Sequence, residues 1–463
     1  MTLNLSPYDI IIVAGALVST IYLGLKGASG ASRHYASSTQ YVLAGRALSL
    51  PLFVVSLVAT WYGAVLGSGE FVLRHGIVML VCFGLPYYIA ALVYAWWFVP
   101  RYRSSRAISI PDVLGQMYGP LARRSASVVM LLMTIPAAYV LMVGTFIDSI
   151  TGWGRFPSML LGAVISASVV IRGGLRSHAL ANAIQFLLMF VGFAVLLAWN
   201  WVHLGSPHTL YRQSDPLAFE VPGTLGWPMV GAWWVIALQT FIDPNIHQRV
   251  AAIGTTSQAR RGLALSVGFW FVFDVLQVLT GLYARAHLTI QNPIETYIVA
   301  AETLLPVVWK GIFVAGLLSA IISTLDGYAL VAGATLTHDL LPSTLSGRWR
   351  YPIGLVLVFA MAIAIATMVP SVVELLFYAA SVGVPAFLPS ILLGFVNQRR
   401  RETIPGVALI LLPGATAASV IVWQHAFGAP FSTGAEGMIA GLMLSAVILI
   451  VAVIRRHFQG GTK

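Results

Sequence analysis

Charge is what this chain has least of. Only 9% of its 463 residues are Asp, Glu, Lys or Arg, against about 25% in ordinary soluble domains, while 58% are hydrophobic. The one cysteine, Cys82, lies in an apolar run, so no intramolecular disulfide can form and the redox compartment is left open. No loop is long enough to hold a soluble domain. The glycine-rich stretch Gly67-Ser68-Gly69 has no Lys-Ser or Lys-Thr after it, and no His or Cys group has metal-ligand spacing, which argues against nucleotide hydrolysis and a structural metal. An isoelectric point near 9.9 would suit nucleic acid on a soluble domain, but no such domain carries the basic residues.

What the chain has instead is apolar length. About thirteen runs of roughly 20 residues, enough to cross a bilayer core, lie near 8–27, 48–73, 76–99, 121–150, 157–172, 177–203, 226–252, 259–286, 307–340, 351–369, 371–398, 403–424 and 436–454. Each must be a helix, since lipid offers a lone span no other way to satisfy its backbone. All but five of the 26 Lys and Arg residues fall on alternate loops, among them Arg249, Arg260 and Arg261. The other side holds only Arg74, Arg155, Arg212, Arg285 and Lys310. That bias places the N-terminus outside and the C-terminus in the cytoplasm of a multi-pass protein of the inner (plasma) membrane, with lipid as its surroundings. The start, MTLNLSPYD, lacks a basic n-region, so the first run reads as a retained span. Segments 204–225 and 287–306 leave room for short interfacial helices, and Trp96, Trp97, Trp199, Trp201 and Trp227 sit near span ends as anchors.

Two spans are interrupted. The second carries Thr60-Trp61-Tyr62-Gly63 and then Gly67-Ser68-Gly69-Glu70; the seventh carries Asp243-Pro244-Asn245. Pro244 has no N–H and its ring clashes with the carbonyl of Thr240, so a break or kink is expected there. These spans open two runs of five, about 48–203 and 226–398. Broken helices at matching positions of two halves point to an inverted-repeat transporter with its site at the midplane; the simpler alternative is a pair of kinks absorbed by neighbouring helices.

Several short elements, in order along about 40–400, carry a resemblance: Leu43-Ala44-Gly45-Arg46; Ser56-Leu57-Val58-Ala59-Thr60-Trp61; Ile108-Ser109-Ile110-Pro111-Asp112-Val113-Leu114-Gly115 with Tyr118-Gly119; Gly173-Gly174-Leu175; Asn182-Ala183-Ile184-Gln185; Asp243 to Arg249; and Ala320-Ile321-Ile322-Ser323-Thr324-Leu325 with His338-Asp339. By these the chain resembles the sodium:solute symporter family. The resemblance implies an all-α polytopic membrane protein with a five-plus-five inverted-repeat (LeuT-type) core, one extra span before it and two after. It implies no enzyme, but sodium-coupled import of a small organic solute by alternating access, with Na+ as the coupling ion. The implied sodium ligands are the carbonyls of Ala59, Tyr62 and Ala320 and the hydroxyls of Ser323 and Thr324. Read without the family, those hydroxyls could equally bond to carbonyls one turn back. The solute would lie at the two breaks, against Thr60, Trp61, Gly63, Asp243 and Asn245.

The chain also departs from the family. Where many members carry an acid on the sixth span, this one has Asn182, with Gln185 kept, and Asp326 stands three residues beyond Ser323. Asn182, Ser323 and Asp326 are therefore candidates for a rearranged second cation site or a protonatable one, which makes proton coupling a competitor to sodium. Asp243 replaces a common neutral amide. With no Lys or Arg expected at its depth, it suggests an amine-containing solute, with Trp61, Trp233 and Trp234 as aromatic faces. Asp274, beside Gln277, suits either binding or helix–helix bonding; Glu70 belongs at the outer mouth, and His247 to packing or the cytoplasmic side. A substrate sensor of the same fold is the alternative from another class; the short tail after Arg455-Arg456 favours a plain transporter, and the chain reads as a monomer.

Overall fold

The structure is a computed structural model that describes residues 3–29, 38–171, 173–341, 350–369, 372–396, 406–427 and 436–459. Arg33, Arg172, Arg348, Arg399, Arg400, Arg401 and Lys463, which contribute to the charge alternation, lie outside the described residues. Among the described residues the regular elements are helices, apart from one parallel bridge between Leu48 and Ile253. That bridge, with the Leu48 N–H donating to the Ala252 carbonyl at 3.0 Å, ties the start of the second span to the end of the seventh.

Among the described residues, ten helices are long and apolar enough to cross a membrane. They include the first span (Pro7–Gly27), the second (Leu50–His75), the third (Leu80–Ser104), the fourth (Pro120–Thr151), the sixth (Gly174–Leu204), the eighth (Thr256–His287) and the ninth (Trp309–Leu340). The fifth (Arg155–Val170) and thirteenth (Glu436–Gln459) are helices with shorter apolar stretches, and the seventh is divided into pieces over 227–252. Short helices Pro207–Gln213 and Thr296–Leu304 occupy the two longer connections. A third interruption, not expected from the sequence, falls at Ile135-Pro136 in the fourth span, where the helix ends at Thr134 and restarts at Ala137. The cause is the one that operates at Pro244: a missing N–H and a preceding residue driven from the helical region.

The ninth span is the axis of the bundle. Its most apolar window is 94% buried, against 22% for the first span. It runs antiparallel to the sixth at close range because the contact is made through glycine. A Cβ on Gly316 would stand 2.5 Å from the Leu188 carbonyl oxygen, and one on Gly192 would stand 3.2 Å from the Phe313 Cα. Small residues at such crossings let backbones approach where lipid supplies no hydrophobic drive. The innermost helix is thereby held against the partly unwound second span, which is where the site forms.

Candidate functional site

The second span is helical over Leu50–Trp61, tightens into a 3-10 turn at Tyr62–Ala64 and resumes at Val65–His75. The turn lies against the ninth span because Gly63 has no side chain; a Cβ there would overlap Thr324. At this crossing Ser323 Oγ donates to the Ala59 carbonyl at 2.6 Å, with the Ala320 carbonyl 3.1 Å away. Thr324 Oγ1 donates to the Thr60 carbonyl at 2.7 Å, with Ala320 again behind it at 3.3 Å. Both bonding patterns open to these hydroxyls are therefore present, and the bonds across to the second span are the shorter. Ala59, Ala320, Ser323 and Thr324 are brought together. The Tyr62 carbonyl accepts the Val65 N–H of the turn, and its phenol donates to the Trp270 carbonyl at 2.7 Å. Thr60 supplies the fifth oxygen at this crossing.

The seventh span breaks differently. Helix Trp227–Ile236 narrows to a 3-10 turn at Ala237–Phe241, and a new helix starts at Pro244. Asp243 caps that helix, one carboxylate oxygen accepting the Ile246 N–H at 2.9 Å. Its other oxygen accepts the Tyr328 hydroxyl at 3.0 Å, and Tyr328 stacks on Tyr139 with ring centroids 5.0 Å apart. Across the opening Trp61 stacks on Trp270 at 4.4 Å and meets Tyr87 edge-on at 5.4 Å. Gln239 donates to the Tyr87 hydroxyl at 2.8 Å. Tyr87, Gln239 and Tyr328 could not be singled out from sequence, where they look like ordinary residues of apolar spans.

Two expectations are corrected here. Arg249 is not a loop residue: its side chain is fully buried. Its Nε donates to Ser56 Oγ at 3.0 Å, and its terminal nitrogens donate to Thr60 Oγ1 at 2.7 Å, His178 Nε2 at 2.8 Å, and the Asn245 carbonyl and amide oxygens at 3.1 and 3.3 Å. A guanidinium therefore lies next to the seventh-span break, which removes the premise that only an amine on the solute could answer Asp243. The missed signal was spacing: Arg249 is four residues from Asn245, on the same helix face, inside a run already bounded at 252. Asn182 joins this cluster through Nδ2, donating to the Ser56 carbonyl at 3.2 Å and Thr60 Oγ1 at 3.1 Å. Gly327 of the ninth span closes it from below; a Cβ there would press on Thr60, Asn245 and His178.

No hydrogen bond links Asn182, Ser323 and Asp326. Asn182 turns to the second span, Ser323 to Ala59, and Asp326 is fully buried with no hydrogen bond to either oxygen, Ser166 of the fifth span being its polar neighbour. Asp274 and Gln277 join helices: Asp274 accepts the Tyr88 hydroxyl, and the Gln277 side chain accepts the Ser68 hydroxyl. Trp233 packs on Phe83 at 4.3 Å and Trp234 is 39% exposed, so neither lines the break. Glu70 pairs with Arg74 at 3.0 Å, and His247 is buried with its Nε2 2.8 Å from the Phe241 carbonyl. Folding also assembles a group that spacing did not show, Asp112, His338 and Asp339. Arg123 lies 2.8 Å from both carboxylates and supplies the charge a metal would bring.

A sequence profile of the sodium:solute symporter family matches residues 41–403. The chain belongs to the sodium:solute symporter family. Among similar members, sodium-coupled monocarboxylate transporter 2 of Homo sapiens is 25% identical over 371 residues, covering 73% of this chain and 58% of that protein. The chain thus spans little more than half the length of that relative. The high-affinity proline transporter of Bacillus subtilis is 25% identical over 428 residues, covering 84% and 87%. Among solved structures, a substrate-bound, outward-open sodium-coupled sialic acid symporter superposes with a TM-score of 0.79 at 14% identity, over 96% of this chain and 98% of that one. The symporter fold of this chain is therefore a multi-helix membrane bundle of the type expected.

Proposed function

We propose that this symporter uses a sodium gradient to import a small organic solute by alternating access, with its N-terminus outside and its C-terminus in the cytoplasm. The observation that carries the reading is the crossing of the second and ninth spans. Oxygens of Ala59, Thr60, Ala320, Ser323 and Thr324 converge there between an unwound turn and the most buried helix. Sodium is a hard ion suited to hydroxyls and freed carbonyls, and a membrane core offers few other ligands. In the structure the two hydroxyls donate to these carbonyls. With sodium as ligand partner they would turn their lone pairs inward, so that the ion draws the two spans together and orders Trp61 and the break beside it. Release to the cytoplasm would loosen the same crossing. The names of the relatives, which transport monocarboxylate, proline and sialic acid, support a small organic solute.

The test is thermal stability of the purified chain titrated with sodium, potassium and lithium, followed by uptake into liposomes. A ligand at 100 times its dissociation constant stabilises by about 2.7 kcal/mol, so selective stabilisation by sodium is expected. Ser323→Ala should weaken it about tenfold or more in sodium concentration while leaving the unliganded protein within about 1 kcal/mol of wild type. Equal response to all three ions rejects the sodium reading. Stabilisation without accumulation of solute would make the chain a sensor. For Asp326, buried without a hydrogen-bond partner, we assign a second coupling ion. If Asp326→Asn leaves the ion-to-solute ratio unchanged, that assignment is wrong.

A further inference from the structure

We propose that the transported solute carries a carboxylate, and that Arg249, His178 and Asn245 receive it; the inference rests on the symport reading above. Arg249 is a fully buried cation whose hydrogen-bond acceptors are all neutral: Ser56, Thr60, His178 and Asn245. No carboxylate among the described residues pairs with it. Asp243, the acid nearest in sequence, acts on Arg249 through space but makes no ion-pair contact with it, its oxygens being taken by the helix cap and by Tyr328.

The protons around Arg249 can be placed one by one. The Thr60 hydroxyl donates to the Ser56 carbonyl at 2.7 Å, so its lone pairs receive Arg249 and Asn182. His178 Nε2 lies 2.8 Å from Arg249 and 3.1 Å from Asn182 Nδ2, both donors, so this nitrogen accepts and the ring proton sits on Nδ1. His178 Nδ1 is buried with no partner. Asn245 turns its amide oxygen to Arg249, and its Nδ2 is likewise buried with no partner. The cluster thus holds one fixed positive charge and two N–H groups without acceptors. Buried donors left unpaired are costly, and a buried charge normally has a counter-charge.

An ammonium group would add donors to donors. A sugar hydroxyl would accept from the N–H groups but bring no charge to the guanidinium fork. A carboxylate meets both needs, because its two oxygens accept several hydrogen bonds and suit the guanidinium fork. The cluster also borders both breaks. Thr60 directly precedes Trp61 at the second-span break and Asn245 directly follows Pro244 at the seventh, and both close on Gly327.

The test measures melting temperature of the full chain in saturating sodium against matched compounds: monocarboxylates from two to nine carbons, including lactate, pyruvate and proline, the corresponding amides and amines, choline and glucose. A rise with one or more carboxylates and none with the matched amides or amines is expected. Arg249→Lys keeps the charge but not the fork and should weaken that response about tenfold. Asn245→Asp places a carboxylate beside Arg249 and should abolish the response while keeping the fold and the sodium shift. Stabilisation by an amine or a sugar but by no carboxylate overturns the inference, as does a panel without any effect in a protein that sodium stabilises. It is equally overturned if Asn245→Asp binds carboxylates as wild type does. If sodium itself has no effect, the symport reading fails instead.

Discussion

The two broken spans interrupt their helices by different means. The second breaks through a 3-10 turn held open by its neighbour, with Gly63 against Thr324 and the freed carbonyls of Ala59 and Thr60 turned to hydroxyls of the ninth span. The seventh breaks at a proline and heals itself, Asp243 capping the helix that follows. The first break depends on another helix and leaves oxygens for a small hard cation. The second satisfies its own backbone and presents a side chain, Arg249, from the helix it starts. The difference suggests a division of labour, with the ion at one break and the polar group of the solute at the other.

The sharpest way to break this comparison is Gly63→Val. Overpacking costs about 1–3 kcal/mol in typical cores, and here the side chain would lodge in Thr324, so a loss of about 3 kcal/mol together with the sodium response is expected. Gly67→Ala, four residues on with no atom within 4 Å of the added Cβ, should leave both intact; equal damage at the two positions would show that the second span tolerates nothing rather than that Gly63 holds the crossing. A smaller effect is expected from Asp243→Ala, which removes a cap worth about 1 kcal/mol and the acceptor of Tyr328. Chemical denaturation should register about 1–2 kcal/mol, with the sodium shift kept, and Asp243→Asn should restore most of it. Loss of the sodium shift in Asp243→Ala would mean that the breaks are one unit. Tyr328→Phe should do least, about 0.5–1.5 kcal/mol, and a larger loss would assign Tyr328 more than a bond to the cap.

Much of this was legible in the chain because it depends on local sequence. Span length and apolar content predicted the helices, Pro244 predicted its break, and the order of short motifs led to Ala59, Ala320, Ser323 and Thr324. The break at Pro136 was open to the same proline reasoning and was missed inside an otherwise apolar run. Arg249 was misplaced because a count of basic residues treats each as a loop charge, although a long side chain near a span end can turn inward as readily as outward. The hydrogen-bond partners of Asn182 and Ser323 were not legible, since helical spacing says which residues share a face, not which neighbour that face meets.

By itself, then, the sequence determined the all-helical apolar bundle, the interruptions of the second and seventh spans and the hydroxyl pair on the ninth helix, because hydrogen-bond demand in lipid and proline geometry act within a few residues. Only the tertiary structure decided that Thr60 stands where the two spans cross, that His178 meets Arg249 with Asn182 behind it, and that Asp326 lies beside Ser166. Those outcomes depend on how close the second, sixth, seventh and ninth spans approach, and glycine contacts between distant parts of the chain set that distance.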